Sequence, residues 1–222
     1  CVREAMRGLR SFPPMISGMP SSKPAAGPRP PAFRTTIGAG VLVLVVLLLQ
    51  VGGENVTTLL RYDRGPIEAG QLWRLVTAHL VHLGWGNAFL NATALALIIA
   101  GFGPVLRPAQ WIRVAVTSAL LVDIGLWFVH PAVHWYAGLS GVLHGLVAGA
   151  AVAARSTMPR LAAVILCFLS AKLLWEMAAG PLPLSTTIAA TNVITQAHLW
   201  GAVGGALAAF LATRRHARSD PL

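Results

Sequence analysis

Long apolar stretches alternate with short polar connections along most of this chain, and six stretches are long enough to cross a lipid bilayer. A spanning helix needs about 20 mostly apolar residues, with a range of roughly 17–25. The six predicted spans cover residues 35–53, 83–102, 111–129, 136–154, 161–179 and 195–213. The pattern therefore predicts an all-α membrane protein in which six transmembrane helices form one bundle.

Composition agrees with a lipid environment. Of the 222 residues, 55% are hydrophobic and 11% are charged, whereas soluble domains carry about 25% charged residues. The net charge of +10 could indicate nucleic-acid binding, but the basic residues lie at the chain ends and in short connections. We therefore expect the lipid bilayer as a partner and no nucleic acid. No cofactor is expected; His79 and His82 with Asn87 could suggest a metal site, but no Cys, Asp or Glu joins them, so no metal is expected either.

The distribution of basic residues predicts the orientation of the bundle. Cytoplasmic connections are enriched in Lys and Arg, and such residues lie in the N-terminal tail, the second-to-third and fourth-to-fifth connections, and the C-terminus. On the opposite side, three arginines are balanced by three acidic residues: Arg61, Arg64, Arg74, Glu54, Asp63 and Glu68. We expect both termini in the cytoplasm.

Two tails flank the predicted bundle at residues 35–213. Residues 1–34 are basic and proline-rich with little to bury, which predicts a disordered cytoplasmic tail. Residues 214–222 form a short basic tail. Cys1 is an unusual first residue, so we expect a truncated or misassigned start, with Met6 or Met15 as candidate starts.

Polar residues inside the spans carry the candidate chemistry, because polar or ionisable groups at membrane depth are expensive and usually functional. Ser140 lies early in the fourth span, His198 early in the sixth, and Asn87 and Asn91 early in the second. These spans run in the same direction, so the four side chains share one depth near the outer face. A Ser and a His that meet are the minimal parts of a nucleophile and its general base.

Small residues recur every four positions beside both reactive residues. One ladder follows Ser140 and the other surrounds His198; they consist of Gly141, Gly145, Gly149 and of Ala197, Gly201, Gly205, Ala209. Small residues let membrane helices approach closely. Packing of the two ladders would bring Ser140 Oγ towards His198, whereas tight packing without chemistry is the alternative for each ladder alone.

Four segments resemble the rhomboid intramembrane serine proteases. They are Trp73-Arg74, the run from His79 through His82 and Asn87 to Asn91, the Gly138-Leu-Ser140-Gly141 segment with His144 and Gly145, and Ala197-His198-Leu-Trp-Gly201 with Gly205. His144, four residues after Ser140, makes the chain most similar to the rhombosortase subfamily. The resemblance covers about residues 36–213.

The resemblance implies a Ser–His dyad with Ser140 as nucleophile and His198 as general base. It also implies an oxyanion site formed by the Ser140 backbone N–H and the Asn91 amide, with Asn87 where the family usually has histidine. The implied function is cleavage of exported, membrane-anchored proteins near the outer face of a bacterial inner membrane, at C-terminal Gly-Gly sorting segments. The implied partner is the transmembrane segment of a protein substrate.

The remaining polar residues receive structural interpretations. Lys172 and Glu176 are spaced i,i+4 and predict a self-paired couple, so no buried acid is expected to orient His198. Asp123 is expected to pack or hydrogen-bond away from the dyad. His79 and His82 predict hydrogen bonds to the outer loop, with His82 also able to line a water cavity beside the asparagines; His144 is expected to position the base.

Three other functions compete with a sorting protease. The first is a general rhomboid protease, and the second is a non-catalytic rhomboid-like protein that binds transmembrane helices. The third is a small transporter or proton pathway through His82, His198 and Asp123, although no inverted repeat is evident. Retention of both Ser140 and His198 favours the catalytic interpretation.

Overall fold

The computed structural model describes residues 31–183 and 193–217, and within them the chain is almost entirely helical. The long helices are α1 (Pro31–Val51), α5 (Trp85–Phe102), α6 (Pro108–Ile124), α7 (Ser140–Ala154), α8 (Pro159–Ala179) and α9 (Thr195–Ala217). Short helices α2 (Gly53–Leu60), α3 (Arg64–Glu68) and α4 (Arg74–Thr77) lie between α1 and α5. Two two-residue strands, β1 (Tyr62–Asp63) and β2 (Trp135–Tyr136), pair antiparallel.

Four helical segments of the described residues are long and apolar enough to cross a membrane. They are Phe33–Val51, Trp85–Val105, Pro108–Val129 and Pro159–Ala179, each with mean hydropathy of 1.8 or more. The chain is thus an integral membrane protein, and the full count of six spans and the orientation stay predictions. The fourth predicted span is shorter than expected, because residues 135–136 form β2 and the helix begins only at Ser140.

The predicted tails fall largely outside the described residues. Where they are described, helix replaces the expected tail: α1 starts at Pro31 and α9 runs to Ala217. The apolar pattern therefore underestimated both helices: α1 begins at Pro31 rather than residue 35, and α9 continues past residue 213 through Arg214 and Arg215.

Helix α7 lies at the centre of the bundle and is buried along most of its length. Its glycine ladder packs directly on the ladder of α9. A Cβ on Gly201 would collide with the Gly141 carbonyl oxygen, and one on Gly205 with the Gly145 carbonyl oxygen. Only glycine permits this backbone approach, so the two ladders fix the register of α7 against α9.

A buried arginine links separate parts of the connection between α1 and α5. Arg74 is 6% exposed, and its guanidinium donates to the carbonyl oxygens of Thr58 and Arg61 at 2.9 and 3.0 Å and to Gln71 Oε1 at 2.8 Å. The pairing of β1 with β2 ties the same connection to the segment preceding α7. We call this hydrogen-bonded connection, residues 52–84, the cap; it lies at the end of the bundle where Ser140 lies.

Candidate active site

Ser140 is the first residue of α7, and the segment before it is fixed by three hydrogen bonds. Gly138 has φ +128°, a conformation that favours glycine, and its N–H donates to the Ala78 carbonyl at 2.9 Å. The Tyr136 hydroxyl donates to the Gly138 carbonyl, and the Leu139 N–H donates to His82 Nε2 at 3.3 Å. The backbone leading to Ser140 is thus attached to the cap.

His198 comes from the first turn of α9 and meets Ser140 across the packed ladders. Its Nε2 accepts from the Ser140 hydroxyl at 3.1 Å, within the reach required of a nucleophile and its base. His198 is 3% exposed and Ser140 is half-buried. The structure therefore brings the two sequence-predicted residues together in hydrogen-bonding geometry.

Sequence reasoning missed an acid beside this pair. Glu176 Oε2, from the last turns of α8, accepts a hydrogen bond from His198 Nδ1 at 2.9 Å. Lys172 Nζ lies 2.6 Å from the other carboxylate oxygen, Oε1. The expected Lys172–Glu176 pair is present, but the expectation that no buried acid contacts His198 was wrong.

His144 packs on the other face of the base. The rings of His144 and His198 stack at 4.0 Å between centroids with 12° between their planes, and His144 Nδ1 donates to the Ser140 carbonyl at 2.7 Å. His144 thereby touches both members of the pair without standing between them.

His144, Glu176 and His198 place possible metal-ligand atoms within 4.8 Å of one another. The lone pairs of imidazole lie in the ring plane, so two stacked, nearly parallel rings do not direct them at one ion. The Lys172 ammonium beside the carboxylate would also repel a cation. The cluster therefore fits a hydrogen-bonded catalytic arrangement better than a metal centre.

Asn91 and Asn87 stand opposite on the first turns of α5. Asn91 Nδ2 donates to Asn87 Oδ1 at 2.8 Å and to the Asn87 carbonyl at 3.0 Å. Both residues line the same cavity as Ser140. That these two side chains donate to the oxyanion remains a prediction. In the structure, Asn87 accepts hydrogen bonds from Asn91.

A cavity of about 550 Å³ opens between α5 and α8 in front of Ser140 and His198. Its walls are mostly apolar, and several of its lining side chains are exposed on the outside of the helix bundle. The apolar wall residues on the two helices are Leu90, Ala94, Leu97 and Ile98 on α5 and Val164, Ile165, Phe168 and Leu169 on α8. Leu97, Val164 and Phe168 are 68%, 66% and 71% exposed, so the cavity opens sideways towards an apolar environment.

His82 occupies a different place from the one expected beside the asparagines. It is 1% exposed and does not line the cavity of Ser140. Its ring accepts from the Leu139 N–H, and its backbone carbonyl accepts from the Thr57 hydroxyl at 3.0 Å. Burial lowers the pKa of His82 to about 4, so its ring is neutral near pH 7 and Nε2 can accept the Leu139 N–H. His82 therefore supports the backbone that precedes Ser140 through this hydrogen bond.

Asp123 and His79 form a second buried acid–imidazole pair, with Asp123 Oδ1 3.4 Å from His79 Nε2. Asp123 is the second-to-last residue of α6, and the pair borders Tyr136 through a ring contact of His79 at 5.7 Å. Neither residue lines the cavity of Ser140. The expectation that Asp123 serves packing away from His198 agrees with this position.

Comparison with known protein families identifies the family of this chain. The rhomboid domain model matches residues 69–215, which include Asn91, Ser140, Glu176 and His198. This chain belongs to the rhomboid family, whose members are intramembrane serine proteases.

A curated relative from Bacillus subtilis (strain 168), "Putative rhomboid protease YdcA", is 28% identical over 89 residues. The matched segment covers 40% of this chain and 44% of that relative. The similarity is therefore partial, and it agrees with the family assignment without extending it.

Proposed function

We propose that this chain is an intramembrane serine endopeptidase in which Ser140 is the nucleophile and His198 the general base. The observation that carries the proposal is the 3.1 Å hydrogen bond from Ser140 Oγ to His198 Nε2, with both residues lining one mostly apolar cavity. A non-catalytic helix-binding protein would have no need for this pairing at that depth.

The geometry supports acyl transfer in two steps. His198 Nε2 takes the Ser140 hydroxyl proton as Oγ attacks the scissile carbonyl carbon, and the same proton then passes to the leaving amine. In the second step, water hydrolyses the acyl-enzyme. His198 takes a proton from the water as the water oxygen attacks the ester carbon, and Ser140 Oγ then leaves with that proton. The protein is regenerated and the peptide bond is hydrolysed.

The negative charge on the tetrahedral intermediate needs donors that are already in place. The backbone N–H groups at the start of a helix lack intrahelical partners, and Ser140 is the first residue of α7. The Asn91 amide, now donating twice to Asn87, is the proposed second donor and would turn one N–H from Asn87 to the oxyanion.

The cavity supports a transmembrane helix as substrate. Its exposed apolar rim on α5 and α8 matches a lipid-embedded segment, and the polar groups lie at its inner end. With the orientation expected from the basic residues, this end faces the outer side of the membrane. Cleavage would then release the external part of an anchored protein.

The finer proposal is that the substrates are exported proteins ending in a Gly-Gly segment, an apolar helix and a basic tail, as for a rhombosortase in a bacterial inner membrane. Its support is the sequence likeness around Ser140 and His144, and the stacking of His144 on His198 gives that residue a place in the site. Gly-Gly offers an extended, unhindered backbone to a narrow site.

The test reconstitutes the full chain in liposomes with two substrates that differ only in the Gly-Gly pair. One carries the sorting segment and the other has Val-Val in its place. We expect cleavage by wild type, none by Ser140→Ala or His198→Ala, and strong preference for Gly-Gly. Equal cleavage of both substrates would reduce the proposal to a general rhomboid protease, and cleavage by folded Ser140→Ala would overturn it.

A further inference from the structure

We infer that Glu176 is a positioning residue for His198, so that this chain works with a Ser140–His198–Glu176 triad rather than the dyad that its resemblance implies. The inference rests on the proposed function. It adds an acid supplied by α8, a helix that also forms one wall of the substrate cavity.

The hydrogen bonds select one tautomer of His198. Glu176 Oε2 has no proton to give as a carboxylate, so the 2.9 Å contact requires the proton on Nδ1. The lone pair is then on Nε2, where it faces the Ser140 hydroxyl at 3.1 Å. The other tautomer would present an N–H to Ser140 and could not act as a base.

Burial makes this selection strong. The Glu176 side chain is 0% exposed and that of His198 is 4% exposed, so water cannot substitute for either partner. When Nε2 takes the proton from Ser140, the adjacent carboxylate compensates the positive charge on the imidazole. In triads of other folds, loss of the orienting acid costs about 10⁴ in rate.

Lys172 holds the acid in place. Its ammonium lies 2.6 Å from Oε1 while His198 uses Oε2, so each carboxylate oxygen has one partner. Burying a carboxylate is costly unless it is paired and hydrogen-bonded, and this pair of contacts supplies both. Within residues 31–183 and 193–217, the charged or titratable groups found around His198 are thus Glu176 and Lys172 from α8 and His144 from α7.

The first measurement is the rate of Ser140 labelling by a fluorophosphonate in the full-length protein in detergent. We expect Glu176→Gln to lower this rate by about 10²–10⁴, because a Gln amide can donate to Nδ1 and favour the wrong tautomer. Glu176→Asp retains an acceptor and should recover part of the rate. A kcat loss with little change in KM should accompany Glu176→Gln in substrate cleavage.

Glu176→Gln also leaves Lys172 without its partner, so a double variant separates the two effects. In Glu176→Gln with Lys172→Met, the stranded ammonium is gone but the positioning acid is still absent. We expect the double variant to regain thermal stability and to remain as slow as Glu176→Gln. Recovery of the wild-type labelling rate in the double variant would overturn the inference.

A spectroscopic signature gives a readout that does not depend on activity. A proton held between Nδ1 and a buried carboxylate should give a low-field ¹H resonance, present in wild type and Ser140→Ala and absent in Glu176→Gln and His198→Ala. Its persistence in Glu176→Gln would contradict the assignment. If wild type itself fails to label, the proposed function fails; if wild type labels and Glu176→Gln labels equally fast, only the triad fails.

Discussion

The described part of the chain contains two buried acid–imidazole pairs near the same end of the bundle, and they differ in what surrounds them. Glu176 and His198 are hydrogen-bonded at 2.9 Å, with Ser140 beyond the imidazole and a cavity in front. Asp123 and His79 approach to 3.4 Å beside Tyr136, outside that cavity. Residue types alone would not separate the two.

The difference lies in what the second ring nitrogen of each histidine meets. The second ring nitrogen of His198, Nε2, accepts a hydrogen bond from the Ser140 hydroxyl. The acid, the base and the nucleophile are therefore connected by consecutive hydrogen bonds. In His79 both ring nitrogens lack hydrogen-bond partners among the described residues, and the pair is a buried polar contact between α6 and the connection that precedes α5. A reactive serine and an accessible cavity thus turn a structural pairing into a candidate catalytic one.

The largest effect outside the triad itself is expected at Asn91. Asn91→Ala removes an amide that lines the cavity of the first pair and should slow Ser140-dependent cleavage by roughly 10²–10³ if it donates to the oxyanion. The comparison is the cleavage rate of a reconstituted substrate at saturation. A rate equal to wild type would remove Asn91 from the site and leave the helix N-terminus as the oxyanion donor.

The next largest effect is expected from a change in the packing of α7 against α9, which brings Ser140 and His198 together. Gly201→Ala places a methyl against the Gly141 carbonyl oxygen, and overpacking of this kind costs about 1–3 kcal/mol. We expect a lower unfolding midpoint together with slower fluorophosphonate labelling, because α7 and α9 must separate. Gly101→Ala on α5 is the matched control, since a Cβ there meets nothing within 4 Å; equal losses in both variants would argue against the ladder contact.

Acidification should weaken the support beneath Ser140 through His82. Burial lowers the pKa of His82 to about 4 in the folded protein, whereas in the unfolded chain its pKa has the ordinary value near 6.5. As the pH falls below 6.5, the unfolded chain binds a proton that the folded protein does not, so unfolding becomes more favourable. Stability from this group is full above that value and is lost progressively towards pH 4, by about 3 kcal/mol in total. Thermal unfolding in detergent at pH 7.5 and pH 5 measures the loss.

His82→Gln serves as the comparison for that measurement. It removes the titrating ring, so its midpoint should start lower at pH 7.5 and fall less on acidification. A pH-dependent fall as large as that of wild type would assign the titration to another group.

The smallest effect on chemistry is expected in the second pair. Asp123→Asn replaces the carboxyl group near His79 without reaching the cavity and should change the labelling rate by only a few-fold. The measurement is the labelling rate alongside that of Glu176→Gln. Loss on the scale expected for Glu176→Gln would mean that the second pair also serves the reaction.

Much of the fold and the meeting of two residues could be expected from the sequence. Long apolar runs predict membrane helices, and four-residue ladders of Gly and Ala beside Ser140 and His198 predict which helices touch. The start of α7 was less accessible, because Tyr136 through Leu139 are apolar enough to continue a helix. The structure of this segment depends on distant residues: β2 pairs with β1, Gly138 has a positive φ, and the Leu139 N–H donates to His82.

Glu176 was missed for a specific physical reason. Its i,i+4 spacing with Lys172 offers an ion pair on its own helix, and that pair accounts for the charge without any other partner. A carboxylate nevertheless has two oxygens, and Lys172 uses one. Sequence shows which helix face carries the acid but not which neighbouring helix that face meets, so the second contact could be found only in three dimensions.

The most direct test of the central claim is the site of covalent modification in the intact, detergent-solubilised protein. After treatment with a fluorophosphonate, peptide mass spectrometry should find one adduct, on Ser140, and none in folded His198→Ala. A folded wild-type protein that takes up no label, or takes it at another residue, would contradict the assignment of Ser140 and His198 as nucleophile and base.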